Sequence, residues 1–311
     1  MLIYLIKKIC SFLLILLLLS LIAVTVIYHS PNSIFENTSF WQAYYIFYQR
    51  LLFNQFIWLD YSLWDVLAQI IFPTFELAIL AIFYAIIIGV PVGILVGLSN
   101  NNSTINYFIK FICLILYASP IIWIAILVMF SLSDDWIFIK VSNYQPTIES
   151  RSILDVLVTH NTDRLSTLYA EIKHLLLPTI ILAIQPCIIT IQQISQQVSV
   201  TNSQNYIKVA RIRENSSVKI LMRHLLPNAL PKTVPQLTYN ITTLLFSTMA
   251  VEILLNRSGL GTWIFSAYHQ HDYLIIAFAI FSCGALISLL TLLSEVGVSL
   301  VYPLQSRTLY E

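Results

Sequence analysis

Six times along this chain the charged residues thin out almost completely, over residues 9–27, 72–98, 108–132, 175–198, 233–255 and 274–301. Roughly 20 apolar residues in a helix cross a hydrocarbon core of about 30 Å. Lipid offers no partner to a free backbone amide, so an apolar run of that length has to satisfy its own hydrogen bonds as a helix. The expected fold is therefore an all-α, polytopic membrane protein with six transmembrane helices. A chain that is 58% hydrophobic and only 10% charged lies outside the soluble range and agrees with this reading.

The first run follows Lys7 and Lys8 but has neither a short apolar region nor a small-residue cleavage site, so it reads as a retained anchor helix. With six spans both chain ends face the same side. Lys7, Lys8, Lys110, Lys208, Arg211, Arg213, Lys219, Arg223, Lys232 and Arg307 fall on the segments of that side, facing only Glu214 and Glu311 there. Cations in short loops stay in the cytoplasm, which predicts a multi-pass protein with both termini cytoplasmic.

Residues 29–71 are dense in aromatic rings, among them Trp41, Tyr44, Tyr45, Phe47, Tyr48 and Trp64, and read as a partly helical outer-leaflet segment. Residues 133–173 are more polar and read as an extracytoplasmic loop. Cys10, Cys113, Cys187 and Cys283 sit in apolar runs with no CxxC spacing, so neither a disulfide framework nor a zinc site is expected. No Gly is followed by Lys, which excludes the usual phosphate cradle, and no hydrolase signature or metal constellation occurs. No catalytic residue, cofactor or metal is expected.

Within the spans, Ala81, Ala85, Gly89, Gly93 and Gly97 recur every four residues and line one helix face with small side chains, a seam for close helix packing, with Pro91 expected to kink it. Gln185, Gln192 and Gln196 share one face of the fourth span. Amides are costly against lipid, so that face looks into protein or water, either as interhelical contacts or as a translocation path. Glu76 and Glu252 lie near helix ends, where they can reach the interface, and Glu295 lies deeper and should pair within the bundle.

The loop from Asn205 to Pro231 interleaves Tyr206, Ile207, Val209, Ala210 and Ile212 with Lys208, Arg211 and Arg213, and then resumes at Val218. The pattern predicts a short amphipathic helix, a turn at Glu214 to Ser217, and a second helix leading into the fifth span. Tyr206, Ala210, Arg211, Arg213, Arg223, His224, Asn228 and Ala229 stand at the spacing D-Y-x-x-x-A-[RK]-A-K-G…R-H-x-x-x-N-A. This resembles the ATPase-coupling loop of permease subunits of binding-protein-dependent ABC importers, specifically the oligopeptide and dipeptide class. Thr74, Glu76, Leu77, Gly89, Pro91 and Gly93 are similar to that family's second helix, EILLNRSGLG from Glu252 to Gly261 to its E-x-x-F-x-x-P-G-L-G, and His174 to Pro178 to its H-L-x-L-P. The chain departs from the pattern at Glu214, where the family has Gly, at Asn205, where it has an acid, and at Ser258, where it has Pro.

The resemblance implies a MetI-like bundle over residues 72–302 with its coupling loop at 199–232, preceded by an anchor and aromatic segment at 1–71 and followed by a cytoplasmic tail at 303–311. It implies a bacterial inner-membrane subunit that hydrolyses nothing itself. Its partners would be a second homologous permease, two ATP-binding subunits and a periplasmic binding protein, besides the lipid bilayer; nucleic acid is not implied. Ala210 and Glu214 would sit deepest in the ATPase groove, with Arg211 and Arg213 on its rim. Peptide is the implied cargo, and the Gln185, Gln192, Gln196 and Glu252 side chains are candidates for its path. Polyamine transport or export by the same kind of complex is an alternative. A membrane scaffold or sensor with no turnover is another.

Overall fold

The computed structural model describes residues 2–31, 35, 38–53, 55–58, 61–99, 103–131, 164–214 and 216–301. The polar loop expected at 133–173 therefore lies largely outside the described residues, as do Asn215 and the tail. The six expected spans appear as four full-length apolar helices, one broken pair and one shorter apolar stretch at Ile241–Leu254. The chain forms two compact units, one from the described parts of Met1–Phe75, Ile139–Leu168 and Glu252–Glu311, the other from those of Glu76–Phe138 and Tyr169–Val251.

In the first unit, helix α1 (Leu2–Tyr28) packs along α12 (Tyr273–Val301). Lys8 Nζ meets Glu295 Oε1 at 2.7 Å, and a Cβ on Gly284 would stand 2.6 Å from Leu19 Cδ1. From Lys8 to Leu19 the number on α1 rises as that on α12 falls by the same amount, from Glu295 to Gly284. The pair is thus antiparallel. The start of α1 and the end of α12 lie at the same end of the pair, and Glu295 is paired within its unit as expected.

Helix α2 (Phe40–Leu52) begins in a capping box, with Ser39 N–H donating to Gln42 Oε1 at 3.1 Å and Gln42 N–H to Ser39 Oγ at 3.4 Å. Ala43, Phe47 and Leu51, one helical face, are buried, and Trp41 and Tyr45 on another are 72% and 69% exposed. Tyr48 Oη donates to the fully buried Ser20 Oγ at 2.9 Å, and Tyr44 Oη lies 2.9 Å from the same atom. The aromatic segment is thereby tied to the first span. A two-residue strand pair, β1 (Ile57–Trp58) with β2 (Tyr61–Ser62), turns the chain into α3 (Leu63–Leu98), which starts nine residues earlier than the hydropathy suggests and runs unbroken through Pro73 and Pro91.

The second unit is organised by the small-residue seam. A Cβ on Gly89 would stand 2.9 Å from Thr190 Cβ, one on Gly93 2.9 Å from Ile194 Cβ, and one on Gly97 2.7 Å from Val198 Cβ. Each step of four along α3 is a step of four in the same direction along α6 (Arg164–Asn202), so these two helices run parallel with nearly touching backbones. Parallel neighbours require the intervening chain to return across the bundle.

That return is where the expectation of one helix over 108–132 is corrected. The structure has two, α4 (Thr104–Ala118) and α5 (Ile121–Ser131), bent 97° apart. The cause is Pro120. A proline disfavours helical torsions at the residue before it, and here Ser119 is extended at φ −81°, ψ 124°. Its N–H and its hydroxyl both donate to Ile115 O, at 3.1 and 2.9 Å, which closes the last turn of α4.

Candidate functional site

The charged loop folds as expected from its pattern. Helix α7 (Asn205–Arg213) ends at Glu214, α8 (Ser217–Ile220) restarts the chain, and a widened turn at Leu221–Leu225 leads through α9 (Leu226–Ala229) and a tight turn at Leu230–Thr233 into α10 (Val234–Leu254). Leu226 N–H reaches back five residues to Leu221 O. Pro227 explains the widening, since it has no N–H for Arg223 O and its ring crowds that carbonyl.

Ile207, Ile220, Leu225 and Ala229 are buried and cluster with Ile194 and Val198 of α6, with Val90 and Ile94 of α3 packed alongside, and Ala210 is buried as well. The loop's apolar side therefore sits on the same helix pair that the glycine seam holds together. Its other side is open: Tyr206, Val209, Ile212, Val218 and Met222 are 45%, 48%, 84%, 66% and 63% exposed. Lys208, Arg211, Arg213, Lys219 and Arg223 are exposed between them. An exposed apolar patch ringed by cations is the form of a surface that meets a partner.

Two residues of the loop turn inward. Ala210 is 8% exposed, and Ile212 is the most exposed apolar residue of the loop. Glu214 likewise turns inward. Its Oε1 lies 3.3 Å from His224 Nε2 and 3.9 Å from Arg223 Nη1, bracing the turn against the next helix. Its backbone is extended at φ −116°, ψ 123°, a conformation open to any residue, so the position does not require the family's glycine. Arg211 Nη2 donates to Asn202 Oδ1 at 2.6 Å, and Asn228 Nδ2 to His224 O at 2.7 Å, fixing the two ends of the motif.

Gln192 and Gln196 come together on one cavity of about 430 Å³, with Lys110, Ser195 and Ser199 as its other polar residues. Gln185 does not line it, and Gln193 turns inward, its Oε1 buried without a partner among the described residues. Lys110 is the one charge in the apolar run 108–132, and that isolation is its signal in the sequence.

Glu252, expected near the interface, is fully buried in the first unit. Its Oε2 accepts from Gly261 N–H at 2.8 Å, and beside it the Thr74 hydroxyl accepts from Leu260 N–H at 2.9 Å. A Cβ on Gly259 would collide with that carboxylate, so glycine is required there by space, its φ of 172° being ordinary extended backbone. α10 closes with Asn256 at φ 47° and Arg257 N–H bonded to Glu252 O at 3.0 Å, a left-handed cap. α11 (Leu260–His269) closes the same way, with His271 at φ 54° and Asp272 N–H bonded to Ala267 O at 2.9 Å. Leu260, Trp263 and Ala267, three and four apart, were the signal for this helix. Glu252 organises that turn, and as described its carboxylate faces no opening.

Residues 89–307 match the family described as binding-protein-dependent transport system inner membrane component. The chain is 28% identical over 320 residues to the putrescine export system permease protein SapB of Escherichia coli K12, covering all of this chain and 99% of that one. It is 28% identical over 325 residues to the peptide transport system permease protein SapB of Salmonella typhimurium, with the same coverage. Over 251 residues it is 28% identical to the dipeptide transport system permease protein DppB of Alkalihalophilus pseudofirmus, covering 78% of this chain and 72% of that one.

Proposed function

The chain belongs to the family of inner membrane components of binding-protein-dependent transport systems, and from that premise we propose that it is the permease subunit of an ATP-driven peptide importer. It acts with a second permease of similar fold, two ATP-hydrolysing subunits on the cytoplasmic side and a binding protein outside. Both termini and the loop at Asn205 to Thr233 face the cytoplasm.

One observation carries this reading: the outer side of that loop is apolar and cationic while its inner side is locked onto α3 and α6. A partner that grips Ile212, Met222 and the surrounding cations moves Ile207, Ile220 and Leu225 with them. These press on Ile194 and Val198, and the seam at Gly89, Gly93 and Gly97 passes the displacement to α3. Because packed helices shift as rigid bodies, approach of two ATP-bound partners switches the bundle between outward and inward access. The cavity at Gln192 and Gln196 belongs to the cargo path, three turns or less from the loop.

Peptide is favoured by the relatives named for peptide and dipeptide transport. The relative named for putrescine export supports a second reading, a diamine as cargo. Reconstitution of the whole assembly in vesicles separates them. ATP-dependent accumulation of a peptide that requires the binding protein is the expected result. Movement of putrescine alone, or of neither compound, overturns the peptide reading.

A further inference from the structure

Resting on that reading of the cargo path, we infer that the cavity beside Gln192 and Gln196 takes the carboxylate end of the transported peptide, with Lys110 as the carboxylate's partner. The lining contains one cation and no acid. No carboxylate of a described residue pairs with Lys110. An ammonium in a partly apolar groove that meets no anion among the described residues is a site for an anion from outside.

The neighbouring groups narrow the ligand's class. An amide side chain offers both a donor and an acceptor, and so does each peptide bond, so Gln192 and Gln196, one turn apart, can pair with successive backbone amides. Ser195 already spends its hydroxyl proton on Gln192 O at 2.9 Å, which leaves its oxygen to accept. A diamine presents donors only. It would set its own positive charge beside Lys110 with no acid to offset it, and it would leave the amide N–H groups without acceptors.

Size points the same way. At about 430 Å³ the cavity lies toward the small end of ligand sites, which run from ~300 to ~1,000 Å³. It holds an end of an oligopeptide and not its whole length. Recognition of the terminus and the backbone also leaves the cargo's side chains unread, which suits a transporter of mixed sequences.

The test uses the complete assembly in vesicles, with a pentapeptide bearing a free carboxylate and the same peptide amidated at its C-terminus. The wild type should show a KM about tenfold lower for the free acid, the scale of one hydrogen bond to a charged group. Lys110→Gln should abolish that preference and Lys110→Arg should keep it. Equal handling of acid and amide by the wild type overturns the inference, as does a preference that survives Lys110→Gln. So does an equal loss of both peptides in Lys110→Gln, which would make Lys110 a structural or lipid-facing residue. Failure to move either peptide overturns the peptide reading itself, a distinct result.

Discussion

Glu214 Oε1 stands 3.3 Å from His224 Nε2, joining the end of one loop helix to the widened turn of the next. The contact replaces a flexible hinge with a brace at the position where the family carries glycine. Force applied to α7 is therefore carried across the turn by side chains as well as by backbone.

Glu214→Gly should weaken that brace without breaking the turn, because the backbone at 214 is extended in any case. A double-mutant cycle of Glu214→Gln with His224→Ala, read by thermal unfolding in detergent, should give a coupling of about 0.5–1.5 kcal/mol. Arg223, its side chain 69% exposed and 3.9 Å away, should add little. A coupling indistinguishable from zero would remove the brace from the account.

Ile212→Asp should abolish association with the ATP-hydrolysing subunits and leave the permease folded, since Ile212 is 84% exposed. Ala210→Asp should instead lower the yield of folded protein, because it places a charge at a buried position. Co-purification of the partner with each variant, beside a folding check, tells the two apart. A partner that still binds Ile212→Asp at full strength would move the docking surface elsewhere.

The glycines should not be equivalent. Gly97→Ala brings a methyl 2.7 Å from Ser195 O, a backbone atom that cannot step aside, and should cost about 1–3 kcal/mol. Gly284→Ala meets only the tip of Leu19 and should cost less. Gly297→Ala meets nothing within 4 Å and should stabilise α12 by up to about 1 kcal/mol. Thermal midpoints in one detergent rank them; Gly97→Ala behaving like Gly297→Ala would contradict the seam.

Lys8→Met should destabilise more than Lys8→Met combined with Glu295→Leu, because the single change leaves a carboxylate in an apolar helix without its 2.7 Å partner. The difference should be on the order of 1 kcal/mol, given that both side chains are about one-third exposed. Equal losses in the two variants would mean that Glu295 is held by other groups.

A good part of this protein was written in its order of residues. The apolar helices, the helix-turn-helix pattern of the charged loop and the seam at Gly89, Gly93 and Gly97 all follow from rules of short range: the length a helix needs in lipid, a spacing of four, a fixed run of residue types. The break at Ser119 was equally local, since Pro120 is visible in the sequence, but hydropathy over 108–132 counts apolar residues and is blind to torsions. Helix α11 was obscured because its polar Thr262, Ser266 and His269 resemble a loop until packing selects one face.

What the tertiary structure decided is which way side chains point. Nothing in the motif says that Ala210 and Glu214 face inward while Ile212 faces out, or that Glu252 is enclosed by Thr74, Gly259 and Gly261 and not set at an interface. Nor does it say that Lys110 shares a cavity with Gln192 and Gln196. Each of these depends on residues tens to hundreds of positions apart, whose meeting is set by helix register. Composition and spacing choose the helices; only their packing assigns each face to core, cavity or partner.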